Sequence, residues 1–275
     1  MPGQGVCIFA TLRMAVMYGV ERKSPSGTLL RYVTSLTATL ALLVVCDNAG
    51  LAQQDPSVGP RAAMVSRIRS YSDLLPQLAS IDHISTAVLE VMNEVPRHRF
   101  VPDDVKNQAY ADMPLPIGYG QTISQPFIVA LMTELVRTTP DSTMLEIGTG
   151  SGYQAAVLSR LVKSVCTIEI IPALGEAATR RLADLGYDNI RAKIGDGYFG
   201  WPECGPFDGI LVTAATGHVP PSLVEQLKPG GRIVVPVGGP FEPQFLTLVE
   251  KAADGKITTH QILPVSFVPL TRAPQ

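Results

Sequence analysis

Met144-Leu-Glu-Ile-Gly-Thr-Gly-Ser-Gly-Tyr153 is the stretch whose reading decides the fold. It begins as a buried β-strand and runs into a turn of three alternating glycines, Gly148, Gly150 and Gly152. An apolar helix, residues 154–162, follows at once. A strand that ends in a glycine turn and opens a helix is the entry point of a nucleotide-type site in an open α/β sheet. Glycine is expected there because a Cβ would collide with a ligand lying against the backbone.

Working outward, strands are predicted at 143–148, 164–170, 189–194, 207–213 and 232–237. Helices at 172–185, stopped by Gly186, and at 221–227, stopped by Lys228-Pro-Gly-Gly231, alternate with them. The 207–213 strand is apolar throughout and so is expected to be buried on both faces. Residues 245–251 and 257–264, with Asp254-Gly255 between them, read as an antiparallel hairpin. The fold class is therefore α/β: a Rossmann-like, mostly parallel sheet with helices on both faces and an antiparallel C-terminal edge. Upstream, residues 61–80 suit an amphipathic helix broken near Pro76, and Asp82 is a plausible N-cap for a helix over 83–93. Residues 112–120 hold Pro114, Pro116, Gly118 and Gly120 and read as a loop without regular structure. Gln121-Thr-Ile-Ser-Gln-Pro126 then leads into an apolar helix, 127–136. Ser124 reads either as the N-cap of that helix or as a polar group aimed into a ligand cleft.

With 46% hydrophobic and 17% charged residues the chain can bury a sizeable core, and a net charge of −2 without a basic block argues against a nucleic-acid surface. Cys7, Cys46, Cys166 and Cys204 lack metal-like spacing, so buried free thiols are expected rather than a disulfide framework. His83, His98, His218 and His260 are scattered, and no metal site is expected. At the N-terminus Arg22, Lys23 and Arg31 precede an apolar run, 32–46, followed by small residues at Ala49, Gly50 and Ala52. That is the order of a secretory signal, in a run too short for a comfortable membrane span. Residues 1–60 are accordingly set apart as a signal-like or disordered extension. Residues 61–275 form one domain, with a helical and substrate-loop part at 61–140 and a cofactor-binding sheet and hairpin at 141–275.

The chemistry gathers at predicted strand ends, where ligands bind in open α/β sheets. Glu169 ends the second strand of this unit, at the position of an acid that accepts hydrogen bonds from ribose hydroxyls; a solvated strand-end carboxylate is the bland alternative. Asp196, between Gly195 and Gly197, is either a turn residue or an acceptor for an adenine amino group. The glycine pattern departs from the dinucleotide fingerprint, because Tyr153 stands where a small residue is wanted. Glu146 would also repel a phosphate and suits a cationic ligand. S-adenosylmethionine, with a sulfonium, an ammonium and no phosphate, fits.

Gly120-Gln-Thr-Ile-Ser-Gln-Pro126, Leu145-Glu-Ile-Gly-Thr-Gly-Ser-Gly-Tyr-Gln154, Gly195-Asp-Gly197, Pro206-Phe-Asp-Gly-Ile210, Leu227-Lys-Pro-Gly-Gly231 and Phe267-Val-Pro-Leu270 together resemble the protein-L-isoaspartate (D-aspartate) O-methyltransferase family. Val95-Pro-Arg-His-Arg-Phe-Val101 is similar to the family's first loop. The glycine and Lys-Pro-Gly-Gly motifs are shared by class I methyltransferases, whereas Thr-Ile-Ser-Gln-Pro and Phe-Val-Pro-Leu are more specific. Ser266 and the N-terminal extension depart from the family pattern. The resemblance implies methyl transfer from S-adenosylmethionine to the free carboxylate of L-isoaspartyl and D-aspartyl residues, a repair of aged proteins. It implies Ser124 as the catalytic position and Thr122, Ile123 and Val268 as substrate contacts. It also implies Glu146, Gly148, Thr149, Gly150, Gly152, Glu169, Asp196 and Gly197 as cofactor contacts. The expected partners are isoaspartyl proteins and peptides, met by a monomer. Competing readings are a methyltransferase for a small-molecule carboxylate, a non-catalytic module of the same fold and a nicotinamide-dependent oxidoreductase. Cofactor supply favours the cytoplasm; the signal-like segment favours export.

Overall fold

The alternation of apolar strands and helices closes into one seven-stranded sheet in the computed structural model, which describes residues 17–23, 29–35, 55–71, 75–78, 81–239 and 242–272. The chain divides into two compact units, 1–54 and 55–275. In the first, β1 (Met17–Lys23) pairs with β2 (Leu29–Ser35) as an antiparallel hairpin. Residues 32–35 of the apolar N-terminal run lie in β2, and the rest of that run lies outside the described residues.

The second unit begins with α1 (Val58–Tyr71), α2 (Leu75–Leu78) and α3 (Thr86–Glu94). The N-cap of α3 is Ser85, not Asp82: its hydroxyl accepts the Val88 N–H, and its own N–H donates to Glu134. Residues 112–120 are not an irregular loop. β3 (Leu115–Gly118) pairs with β4 (Gln121–Ile123) around Gly118, Tyr119 and Gly120, all with positive φ. The glycines close a tight turn, and Pro116 sits in a short two-stranded ribbon that needs few backbone donors. Next comes α4 (Pro126–Leu135), with proline in its first turn.

The sheet is built from β5 (Thr143–Ile147), α5 (Tyr153–Ser159), β6 (Ser164–Glu169), α6 (Pro172–Asp184), β7 (Ile190–Ile194), β8 (Phe207–Val212), α7 (Pro221–Gln226), β9 (Leu227–Val237), β10 (Gln244–Lys251) and β11 (Ile257–Val265). The strand order is β11-β10-β9-β8-β5-β6-β7, parallel from β9 to β7 and antiparallel at β10 and β11. Lys228-Pro-Gly-Gly231, read as a stop before a strand, lies inside β9. The β8–β9 register jumps from Phe207↔Leu227 to Gly209↔Arg232, so the Pro-Gly-Gly residues fall in an irregularity that spares them ladder bonds.

Alternate residues feed two cores. Met144 and Leu211 point into one apolar cluster, with α3, α4 and α5; Leu145, Ile147, Ile210 and Val212 point into the other. Burial on both faces explains why β5 and β8 lack polar alternation. Cys166 and Cys204 are joined in a disulfide, contrary to the expectation of free thiols. Both pack against the second cluster, and a separation of 38 residues gave no sequence signal of the pairing. Among the described residues no helix is long and apolar enough to cross a membrane, and no group of His, Cys, Asp and Glu could hold a metal ion.

Leu145 is fully buried in the strand that delivers the glycine turn. Leu145→Ala is expected to lose about 2–5 kcal/mol in urea unfolding, the cost of the lost methyls plus the cavity they leave.

Candidate active site

The strand order reverses at β5: the chain steps outward to β6 and β7, then returns to the other side as β8 and β9. The loops after β5 and β8 therefore part at their C-terminal ends and open a crevice, the expected ligand position in such sheets. A cleft of about 750 Å³, open to solvent, lies there. It is lined by residues 146–151 from β5 and its turn, 168–171 from the end of β6 and the loop after it, Thr213 and Ala214 after β8, Gly197, residues 121–123 of β4 with Ser124 after it, and residues 268–271 near the C-terminus. The structure thus brings Thr122, Ile123, Ser124, Glu146, Gly148, Thr149, Gly150, Glu169, Gly197 and Val268 to one cleft. Gly152 and Asp196 are not on its wall.

Gly148, Gly150 and Gly152 have φ of 95°, 52° and 89°, a left-handed backbone that L side chains resist. The close neighbours that a Cβ would meet belong to the protein as well as to any ligand. At Gly148 it would lie 2.6 Å from Thr213 Oγ1, at Gly150 3.2 Å from Ile117 Cδ1 and at Gly152 3.2 Å from Leu182 Cγ. Gly152 is therefore needed for turn conformation and for packing on α6. The ribbon residue Ile117 reaches over the turn, so the ribbon and the turn are one structure.

Glu169 holds that turn from the side. Its Oε2 accepts the Gly150 N–H at 2.7 Å and its Oε1 the Ile171 N–H at 2.9 Å. A carboxylate has about four lone-pair positions, so capacity remains for the ribose hydroxyls proposed for it. Thr213 Oγ1 donates to Gly148 O at 2.7 Å from the opposite side. Asp196 behaves locally as a turn residue: Oδ1 accepts the Tyr198 N–H at 3.0 Å, and Oδ2 pairs with Arg272 at 2.8 Å.

Glu146 departs from its simple electrostatic reading. It is fully buried, Thr167 donates to its Oε2 at 2.5 Å, and Oε1 has no hydrogen-bond partner among the described residues. Burial, with the Glu169 charge adding, pushes its pKa up to about 8 against hydrogen bonding from Thr167 and from the Ala155 backbone. The carboxyl is thus neutral in most molecules at pH 7. A buried, unpaired oxygen on a cleft wall fits a cationic or donor group of a ligand, which would draw the proton off again.

Ser124 is half-buried. Gln125 occupies the N-cap of α4 and no side chain caps that helix, so the Ser124 hydroxyl is not consumed by capping. Its backbone is held instead: Ser124 O accepts from Arg97 at 2.8 Å, and the next residue's side chain donates to Asp112 at 2.8 Å. Sequence reasoning missed Arg97, Asp112, Thr167 and Thr213. Of these, only Arg97 stood in a motif already singled out, and nothing in it signalled a buried cation.

A sequence model of the protein-L-isoaspartate(D-aspartate) O-methyltransferase (PCMT) family matches residues 69–275. The chain belongs to this family. It is 55% identical over 232 residues to protein-L-isoaspartate O-methyltransferase 2 of Syntrophobacter fumaroxidans, covering 84% of this chain and 94% of that one. It is 53% identical over 236 residues to protein-L-isoaspartate O-methyltransferase 1 of Cupriavidus necator, covering 86% and 90%. A solved protein-L-isoaspartate O-methyltransferase superposes with a TM-score of 0.67 at 30% identity, over 76% of this chain and 65% of that one. A beta-aspartate methyltransferase (PCMT) from Plasmodium falciparum, in complex with S-adenosyl-L-homocysteine, superposes with a TM-score of 0.63 over 78% of this chain and 99% of that one. At 22% identity that likeness bears on the fold alone.

Membership of the PCMT family leaves the protonation of Glu146 open to measurement. In the unfolded chain Glu146 titrates near 4.5, and in the folded protein near 8. Between those values folding requires the proton to be kept, so its contribution to stability falls as pH rises through that window. Wild type is expected to lose stability relative to Glu146→Gln between about pH 4 and 8 in paired urea titrations, with the difference levelling off about one unit below the unfolded value of 4.5.

Proposed function

We propose that the protein transfers the methyl group of S-adenosylmethionine to the free carboxylate of L-isoaspartyl and D-aspartyl residues in damaged proteins and peptides. The observation that carries this reading is the single cleft shared by residues 121–124 and turn residues 146–151. The first is the stretch most specific to the family and the second is the cofactor-type turn, so acceptor and donor sites face one another. Residues 61–275 act as one methyltransferase domain, with substrate contacts from 61–140 and cofactor contacts from 141–275.

The cradle suits the cofactor. Gly148, Gly150 and Gly197 line the cleft without side chains, Glu169 is positioned for ribose hydroxyls, and the unpaired Glu146 oxygen offers an acceptor to a positive group. When bound, S-adenosylmethionine supplies an electrophilic methyl group on its sulfonium. The rest is done by the chain. The acceptor carboxylate is ionised at pH 7, its unperturbed pKa being near 4, so no general base is needed. Ser124 donates a hydrogen bond that orients this carboxylate. Ile123, Val129, Val268 and Leu270 line the same cleft and exclude water from the nucleophile. Catalysis is then mainly positioning, which demands reacting atoms about 3–3.5 Å apart and in line. The protein acts as a monomer on polypeptides, a reading supported against nucleic acid by its mild net negative charge.

Purified full-length protein is expected to methylate an isoaspartyl peptide and not its normal aspartyl twin. Equal labelling of both, or of neither, would refute the proposal. Ser124→Ala is expected to lower kcat by roughly 10–100-fold, the worth of a hydrogen bond to a charged group, with S-adenosylmethionine affinity unchanged. Collapse of cofactor binding would instead make Ser124 a cofactor or structural residue.

Cofactor supply supports a cytoplasmic location. A second reading, export, has specific support in the Cys166–Cys204 disulfide, a bond that persists in oxidising compartments, and in the basic–apolar–small order before residue 53. N-terminal sequencing after cell fractionation decides between them. The cytoplasmic reading expects the residues before 53 to be retained, and a mature start near 53 would establish export.

A further inference from the structure

Arg97 is 0% exposed, and no step of the methyl transfer described above uses it. Its Nε donates to Ala109 O at 2.8 Å and its Nη2 to Ser124 O at 2.8 Å, while Nη1 has no hydrogen-bond partner among the described residues. The guanidinium carbon lies 4.9 Å from the ring centroid of Tyr153. Tyr153 is the first residue of α5, directly after Gly152, and lines the cleft. One side chain therefore touches both halves of the site, the acceptor segment through Ser124 and the donor turn through Tyr153.

The acceptor segment is gripped from a second side. Asp112 Oδ1 accepts the Phe127 N–H at 3.0 Å and Oδ2 accepts the Gln125 side-chain amide at 2.8 Å. Residues 124–127 are thus held at a carbonyl by a cation and at an amide by an anion. Stability alone is a poor reason for such a cation. Burying a charge is costly, and an apolar side chain of similar volume often stabilises as well or better. Here Nη1 is also left without a hydrogen-bond partner among the described residues. A guanidinium does offer something that an apolar group cannot: a rigid planar fork that sets two carbonyls at a defined separation. Burial lowers its pKa to about 10, so it stays charged at neutral pH.

We propose that Arg97, with Asp112 opposite, is a positioning device that sets Ser124 at a fixed distance from the cofactor turn. The inference rests on the methyl-transfer reading above and extends it to residues that do not touch substrate. Three full-length variants test it: Arg97→Lys, Arg97→Met and Asp112→Ala. Each is read for kcat on an isoaspartyl peptide, for S-adenosylhomocysteine affinity by calorimetry, for melting temperature and for hydrogen exchange over residues 121–127. Misplacement of a reacting group by about 1 Å costs roughly 100-fold in rate. The Arg97 variants are therefore expected to lose about 10–100-fold in kcat, and Asp112→Ala about 10-fold, with S-adenosylhomocysteine affinity within about twofold of wild type. Exchange over 121–127 is expected to quicken while that of α5 does not. Retention of kcat, or a parallel fall of kcat, ligand affinity and melting temperature, would overturn the proposal and make Arg97 an ordinary structural residue. Should Arg97→Met fail to fold, Arg97→Lys and Asp112→Ala carry the same test. A wild-type protein inactive on the peptide would sink the methyl-transfer reading, and exchange over 121–127 would still report whether the clamp orders the segment.

Discussion

The Glu169 carboxylate accepts the Gly150 N–H from one turn and the Ile171 N–H from the next. Much of the site depends on this contact. The backbone between β5 and α5 turns left-handed three times within five residues and leaves the ladder after the bonds to Ile168 O. Its amides need partners from elsewhere, because buried unpaired N–H groups are costly. Glu169 supplies one, Thr213 ties down the Gly148 carbonyl from the far side, and Ile168 O takes the Gly148 N–H. The glycine turn is therefore rigid, and its shape is set by strands on both sides of the switch point.

Around that fixed turn the other walls are fastened one at a time. The β3–β4 ribbon leans on it through Ile117, and the segment after the ribbon is clamped by Arg97 and Asp112. The C-terminal residues that complete the cleft are docked by main-chain bonds between Ala215 and both Val268 and Leu270, and by the Gln244 side chain, which brackets Phe267. Beyond the cleft wall, Arg272 pairs with Asp196 and lies over the face of Tyr198. A reaction whose nucleophile is already ionised gains little from acid–base groups and much from fixed geometry. A cleft of short, tethered segments around a stiff turn suits that demand.

The parallel sheet, its order of elements and the antiparallel edge were legible because long apolar runs and glycine punctuation are local signals. The misses arose where a local pattern allowed more than one outcome. Asp82 and Ser85 both have N-cap chemistry, and only the Glu134 carboxylate waiting for the Ser85 N–H decides between them. The prolines and glycines of 112–120 said turn, and the turn was there, but it joins two short strands of a ribbon. Lys228-Pro-Gly-Gly231 read as a terminator and proved to be an irregularity within a strand.

The sequence by itself determined the fold class and the cofactor turn, since each is written in contiguous apolar runs and glycines, and its resemblance to the family singled out the stretch at 121–126. Only the tertiary structure decided the charge state of Glu146, the pairing of Cys166 with Cys204 and the junction of Ser124 with Tyr153 through Arg97. The reason is the same in all three. Burial and contact with residues distant in sequence set these properties, and no local pattern encodes a desolvation or a neighbour 27 positions away.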